Sequence, residues 1–598
     1  MPSARNIDVN ILRENAITLW EKISYKNKLR FYLLLLFTII LSIFEAASLG
    51  SLVPFLTAIT SPEIILENSD LIQILSAIGI ETEFELARAS TALFVSLALI
   101  TAFLRFFLLK LQYSFAHSSS NDIALSIFDK TINQEYVYIS LLNSADLTSA
   151  LSQKITQLIN SAIMPFLLLI SSCCVACVLI LGLLIIDWRL TLFLVSAFAS
   201  VYSLIFLAIK KRISVNSSIM NSEYNILLKS IQETFGGIRE VILGNHKEIV
   251  KTQFRKSVTN LRTAQASTLF LAASPRIVIE VSVFVLVALV AYYSFFQNGS
   301  AIVSIPTLGA LAYAAQRLMP VLQLIYANRV SILGSKDVIQ DLCDLINSKS
   351  PQTDEKSLAK SKVDSHTFKD KIVLKDLSFK YPETHNFALK NINLTINSGE
   401  RIGIFGKTGS GKSTLLDIIM GLLHPTIGEM YCDDISYLDF SRKDWFAMFS
   451  HVPQSIFLAD TSVINNIAGL GDRLNINEEK VFTAARIANI KDDIENLDDG
   501  FETVVGERGV RLSGGQLQRI GIARAIYNQS RILVLDEATS AIDPVVEAKI
   551  ESSLNELNEE ITVIKVAHRI STLEGCDIIH EVVDGEIVRS GKYESLFL

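Results

Sequence analysis

The eight residues Gly406-Lys407-Thr408-Gly409-Ser410-Gly411-Lys412-Ser413 have the types and spacing to hold a nucleoside triphosphate. Glycines let successive backbone N–H groups turn inward around phosphate oxygens. Lys412 can reach the terminal phosphates, and the Ser413 hydroxyl can ligate magnesium. Downstream, Ile532-Leu533-Val534-Leu535-Asp536-Glu537 delivers two carboxylates at the end of an apolar run. Asp536 can hold magnesium through water, and Glu537 can polarise an attacking water. Leu512-Ser513-Gly514-Gly515-Gln516 opens a helix, a second place where backbone donors can meet an anion. Tyr381 stands 25 residues ahead of Gly406 and can stack on a purine ring. Gln454 lies in a polar loop, and His568 follows the apolar run Thr562–Val566, from where it can contact a γ-phosphate.

These groups need a scaffold. Arg401-Ile402-Gly403-Ile404-Phe405 reads as a strand and Thr414–Met420 as a buried helix, the strand–loop–helix context of a phosphate-binding loop. From Lys371 onward short strand patterns alternate with helices, so residues 371–598 read as an α/β P-loop NTPase domain. Residues 336–370 are polar and charged and read as a linker.

The first half is of a different kind. Half of the 598 residues are hydrophobic and only 19% are charged, with the apolar excess before residue 335. Residues 29–335 read as an all-α transmembrane domain of six spans, at about 31–60, 89–111, 163–186, 190–209, 277–296 and 303–324. Residues 1–28 form an N-terminal segment, and Lys22, Lys26, Lys28 and Arg30 cluster just before the first apolar run, which argues that the N-terminus is cytoplasmic. The first apolar run is too long for a cleavable signal peptide. The loops 112–162 and 210–270 are long and fall inside. Asn143–Leu147 and Phe235–Glu240 are candidate short transverse helices that dock on the nucleotide domain, or plain turns. A net charge of −7 does not favour nucleic acid as a partner. The six cysteines show no paired spacing, and Cys173, Cys174 and Cys177 read as small thiols packed between membrane helices.

Ionisable groups inside membrane spans default to functional hypotheses. Glu45, Arg105, Arg276, Glu280 and Arg317 are the candidates for a polar translocation path, with structural ion pairing as the alternative. Pro320 would kink or break the last span.

The order Tyr381, GKTGSGKS, Gln454, LSGGQ, ILVLDE, Ser540-Ala541-Ile542-Asp543, His568 resembles the ATP-binding cassette of ABC transporters. The preceding spans with long inner loops resemble the exporter-type membrane domain, so the likeness covers residues 15–598. It implies ATP and Mg2+ as ligands. It implies nucleotide contacts from Tyr381, from Gly406 through Ser413 with Thr414, from Ser513, Gly514, Gly515 and Gln516, and from Asp543. It implies metal contacts from Ser413, Gln454 and Asp536, and catalytic work by Glu537, His568 and Gln454. Ile542 stands where leucine is usual, and Val504 where many exporters carry an acid that contacts the membrane domain.

In that family one cassette makes only half of each ATP site, so a second copy of the chain is implied, as a homodimer in the bacterial plasma membrane with the cassette cytoplasmic. Spans one and six are similar to exporters of lipid-linked oligosaccharides. That likeness implies a flippase for an amphipathic, lipid-linked substrate moved from the inner to the outer leaflet. A multidrug exporter or an exporter of lipid A-type lipids is the alternative. A cassette-gated channel is disfavoured, since no regulatory insertion interrupts the chain.

Overall fold

In the computed structural model, residues 4–597 are described except 61, 67–79, 81, 142–143, 187, 279, 282–284, 286–304, 348–367, 383, 470–475, 539–541, 557–560 and 568. The chain folds as two compact units. One comprises residues 1–133 and 142–348, the other 134–141 and 349–598.

The first unit is helical throughout its described residues, because apolar runs without hydrogen-bonding partners in lipid must satisfy their backbone internally. Among the described residues three helices there are long and apolar enough to cross a membrane, Tyr25–Ser48, Glu83–Ile132 and Leu147–Gly182. The fourth expected span lies within the helix Trp188–Gly236, and the described part of the sixth, from residue 305, within Ile305–Gly334. The fifth falls mostly outside the described residues. The first span is two helices, Tyr25–Gly50 and Leu52–Thr60, meeting at Ser51. Several helices run well past the membrane thickness: Glu83–Ile132 has 50 residues, about 75 Å at 1.5 Å per residue. Pro320 does not break its helix, which is continuous from Ile305 to Gly334.

Where a linker is expected from residue 336, the helix Lys336–Asn347 forms instead. It buries Val338, Ile339, Leu342, Cys343 and Ile346, one helical stripe, against the packed ends of the long helices. Its charged residues lie on the other positions and mask that stripe in a composition count.

The second unit holds two sheets. β1 (Lys371–Phe379), β2 (Leu389–Asn397), β4 (Ile427–Cys432) and β5 (Ile435–Ser436) form an antiparallel sheet in the order β2-β1-β4-β5. β3 (Arg401–Phe405), β6 (Phe449–Val452), β7 (Ile532–Asp536), β8 (Thr562–Val566), β9 (Ile578–Val583) and β10 (Glu586–Gly591) form the second, ordered β10-β9-β3-β8-β7-β6. Within it β9-β3-β8-β7-β6 pair in parallel. Central strands are apolar on both faces, as in Ile532–Leu535, because both faces are covered. Ligands to such sheets gather at the carboxyl ends of the strands.

Gln134–Leu141 belongs to this second unit. Its helix, Tyr136–Leu141, inserts Val137 (6% exposed) into the core that also holds Phe379, Leu389 and Leu415. The docking helix therefore lies just ahead of the expected one. Ser144–Ser149 is also helical but belongs to the first unit, and Asn143 lies outside the described residues. The other expected transverse helix is present as Ile238–Leu243, with no buried residue and Ile242 and Leu243 exposed.

Candidate nucleotide site

The loop 406–411 leaves the end of β3 and enters the helix Lys412–Ile419. Gly411 has φ +105, a region side chains resist, and a Cβ there would stand 2.9 Å from the Ala388 carbonyl oxygen. At Gly406 a Cβ would meet the Val582 carbonyl oxygen at 2.2 Å. The loop thus has no room for side chains at these two points. Ser410 Oγ, in the same loop, is buried and has no hydrogen-bond partner. A tight glycine cradle holding an unsatisfied hydroxyl fits an oxyanion such as a phosphate. Lys412 is 6% exposed, and its Nζ donates to the carbonyls of Gly406 (2.8 Å) and Lys407 (3.0 Å). Burial pulls the Lys412 amine down from its ordinary value, while Glu537 and Asp536 nearby hold it up. Thr408 and Gly409 complete the loop, and Ser413 is exposed at the helix start.

The two acids arrive by strand register. Asp536 is the last residue of β7, opposite Val566 of β8. Glu537 follows with φ +50, and its N–H donates to the Val566 carbonyl at 3.0 Å. A non-glycine residue held there costs about 1 kcal/mol or more and marks an imposed geometry. Gln454 Nε2 donates to Glu537 Oε2 at 2.6 Å. Gln454, Asp536, Glu537 and Lys412 are therefore brought to one edge of the sheet. Of these, Gln454 and Asp536 offer oxygen atoms that, with the Ser413 hydroxyl, make a donor set that suits magnesium.

Tyr381 packs edge-on against Phe379, with ring centroids 4.9 Å apart, and its hydroxyl shares a hydrogen bond with Thr414 Oγ1 at 3.2 Å. This fixes an aromatic ring beside the phosphate-loop helix. Ser513, Gly514, Gly515 and Gln516 open the helix Gly514–Tyr527 with a capping box: Gln516 N–H donates to Ser513 Oγ at 3.2 Å, and Ser513 N–H to Gln516 Oε1 at 2.9 Å. Arg519 braces this opening through Asp493 at 2.7 Å. Among the described residues no hydrogen bond or ion pair joins Ser513–Gln516 to the loop 406–413. Asp543 is exposed, and its Oδ1 caps Val545 N–H at 2.9 Å. His568 lies outside the described residues.

One residue at the site was missed from sequence. Asp417, one helical turn beyond Ser413, is pushed up to about 6 by burial and by the neighbouring charge of Asp536. Tyr136 of the docking helix is within charge range of Asp417 and Tyr381, and burial raises its phenol. The i, i+4 spacing from Ser413 was the available signal for Asp417.

The membrane candidates sort differently. Arg105 Nε donates to Glu45 Oε1 at 3.1 Å, and the same oxygen pairs with the other end of the guanidinium. Glu45 is 3% exposed, so the first and second spans are joined by this pair. Arg276 is exposed and makes no ion pair with Glu280. The side chain of Arg317 lies outside the described residues. Elsewhere in the first unit a cavity of about 920 Å3 is walled by Phe166, Leu169, Val195, Leu318 and Leu322 and carries Lys210 and Arg329. Arg329 lies 4.2 Å above the ring of Phe206.

Residues 389–540 match the ABC transporter family and residues 31–321 the ABC transporter transmembrane region. The ATP-dependent lipid A-core flippase of Methylobacillus flagellatus is 32% identical over 417 residues, 69% of this chain and 69% of that protein. The ATP-dependent lipid A-core flippase of Aromatoleum aromaticum is 28% identical over 495 residues, 82% of this chain and 79% of that one. A solved structure of a bacterial Atm1-family ABC exporter with ATP bound has the same fold. Its TM-score is 0.75 across 95% of this chain and 96% of its own, at 18% identity. The two family regions and the phosphate-loop geometry agree: the chain belongs to the ABC transporters, an integral membrane exporter with a helical transmembrane domain fused to an ATPase cassette that couples ATP hydrolysis to transport.

Proposed function

We propose that the protein is a lipid flippase that moves an amphipathic glycolipid with a phosphorylated headgroup from the inner to the outer leaflet. The supporting observation is the cavity of about 920 Å3, with apolar walls and two cations. Tyr202, Phe206 and Lys210 share one helix stripe by their i, i+4 spacing, so the cavity changes from apolar to cationic along its length. Acyl chains suit the first part and a phosphate the second. The names of the relatives favour a lipid A-core type of substrate over the lipid-linked oligosaccharide expected from spans one and six.

The working form is a homodimer in a bacterial plasma membrane, with the cassette and N-terminus cytoplasmic. ATP lies between the phosphate loop of one copy and Ser513–Gln516 of the other, which accords with the lack of any bond between those segments within one chain. Tyr381 packs on the base, and the loop N–H groups with Lys412 hold the phosphates. Glu537, kept in place by Gln454, orients the attacking water, and His568 contacts the γ-phosphate. Magnesium held by Ser413, Asp536 and Gln454 would neutralise charge on the β- and γ-phosphates. ATP closure favours an outward-open or occluded state, and hydrolysis resets it.

The test is ATP-driven flipping in proteoliposomes of a lipid A-core glycolipid, a lipid-linked pyrophosphate sugar and a cationic drug, for wild type and Lys210→Ala/Arg329→Ala. Transport of a phosphorylated glycolipid, reduced at least tenfold in the double variant while basal ATPase persists, is the expected result. Transport of the drug alone, indifferent to both cations, would refute the lipid reading.

A further inference from the structure

The helix that carries the third span is irregular at its cytoplasmic end. Ala150–Lys154 and Ile159–Ile163 are π turns, separated by the α turn Ile155–Leu158. A π turn widens the helix and releases backbone groups from the regular ladder, and such turns are kept where they serve a purpose. Here each one meets the same stretch of chain. The carbonyl of Ser161, inside the second π turn, accepts hydrogen bonds from Ser331 Oγ at 3.1 Å and Ser335 Oγ at 3.2 Å. Lys154, which ends the first π turn and is 7% exposed, forms an ion pair with Asp341 of the helix Lys336–Asn347. Asn221 Nδ2, from the helix Trp188–Gly236, donates to the same Asp341 oxygen at 3.1 Å.

The stretch so gripped, residues 331–341, is the last part of the first unit before the chain passes to the cassette unit. More bonds hold it and its continuation: Asn15 Nδ2 donates to Gln340 Oε1 at 2.8 Å, and, further on, Lys130 Nζ donates to the carbonyl of Ile346. The two gripping helices are also walls of the cavity. Phe166, Leu169 and Cys173 follow the second π turn, and Tyr326, Ile332 and Leu333 precede Ser335. The links therefore lie between the cavity and the chain's exit toward the ATPase. Lys154 is buried and the Asp341 side chain is 31% exposed, so desolvation of the lysine offsets much of the pair's attraction and makes it a poor source of stability. Its use is to fix one geometry among several apolar alternatives.

We propose that Lys154, Asp341 and Asn221, with the Ser161 carbonyl, form a register lock that makes the third span and the helix Lys336–Asn347 move as one body. Lys154 and Asp341 are thus positioning residues for the coupling of ATP hydrolysis to transport. The proposal rests on the exporter activity but not on the identity of the lipid.

The test has a structural and a functional arm, both on the full-length protein in lipid bilayers. Spin labels at Thr156 and Asn347, both exposed, report the distance across the lock, with no nucleotide and after trapping with ATP and vanadate. Wild type should give one narrow distance, the same in both states. Lys154→Met should broaden it or let it shift on trapping, with basal ATPase within twofold of wild type. The exchange Lys154→Asp/Asp341→Lys should restore the narrow distance. In the functional arm, lipid A-core glycolipid flipped per ATP hydrolysed should fall at least fivefold in Lys154→Met and recover in the exchange. Asn221→Ala removes only the neutral bond and serves if Lys154→Met does not fold; it should broaden the distance to a lesser degree. A distance that neither broadens nor shifts on trapping in Lys154→Met overturns the proposal, as does an exchange that fails to restore it. If wild type flips no glycolipid, the lipid reading fails while the distance arm still decides on the lock.

Discussion

Asp417→Asn isolates an electrostatic cost that the cassette carries at its phosphate-loop helix. The carboxyl of Asp417 is displaced from 3.8 to about 6, first by burial and second by Asp536. Tyr136, whose phenol is raised first by burial, is also within charge range of Asp417. That displacement corresponds to a penalty of about 3 kcal/mol on the carboxylate, and solvent screening reduces it to about 2 kcal/mol. The sign follows from linkage. A raised acid binds more protons folded than unfolded, so the penalty is full above about pH 6, fades as the pH falls, and is gone near pH 4. Asparagine keeps the shape without the charge. The variant should therefore be more stable than wild type by about 2 kcal/mol at pH 7.5, with the difference shrinking toward zero between pH 6 and pH 4. Thermal unfolding of the full chain in nanodiscs, read at the cassette transition in magnesium-free buffer, measures this. A stability difference that stays constant from pH 7.5 to pH 4 would show that Asp417 is not held as a costly carboxylate. A variant less stable at pH 7.5 would show that the charge is compensated by a partner.

Glu537→Gln should abolish ATP turnover while keeping ATP affinity within about threefold, measured by fluorescent-nucleotide binding; near-normal ATPase would remove Glu537 from its proposed role. Gly411→Ala forces φ +105 on a residue with a Cβ 2.9 Å from the Ala388 carbonyl. It should cost about 1–2 kcal/mol of backbone energy and weaken ATP binding at least tenfold. Arg105→Ala leaves Glu45 buried without its partner, a loss of about 3 kcal/mol seen as a lower melting temperature, which Glu45→Gln in the same chain should largely reverse. A stable Arg105→Ala protein that hydrolyses ATP but does not transport would instead place Arg105 in the substrate path.

The phosphate loop and the paired acids were legible because their chemistry is local: glycines, lysine and serine within eight residues, and two carboxylates at the end of one strand. What sequence concealed depends on partners far away in the chain. Glu45 and Arg105 are 60 residues apart, and each alone reads as a charge stranded in a membrane. Lys336–Asn347 reads as a linker because Lys336, Asp337, Asp341 and Asp344 dilute a stripe that only packing against other helices makes apolar. The docking helix was misplaced by a few residues for a similar reason. Asn143, Ser144 and Asp146 stand out in the sequence by their polarity, whereas Val137 is selected by the pocket that the cassette core offers it.

The strain at Glu537 links the fold to the role proposed for that acid. A free loop would relax φ +50. Here the parallel register of β7 and β8 puts Asp536 opposite Val566, and the Val566 carbonyl then takes the Glu537 N–H. The acid is thereby fixed by the sheet, and Gln454 reaches it from the loop that follows β6. The other anion-binding edge, Ser513–Gln516, is fixed separately by its capping box and by Arg519 on Asp493. Each edge is thus held by bonds within its own chain, and such pre-organisation lowers the ordering cost of binding. In the proposed homodimer, two edges that are not bonded to each other within one chain would leave ATP binding to draw the copies together. That is the property through which a binding event can do mechanical work on the helices connected to the cassette.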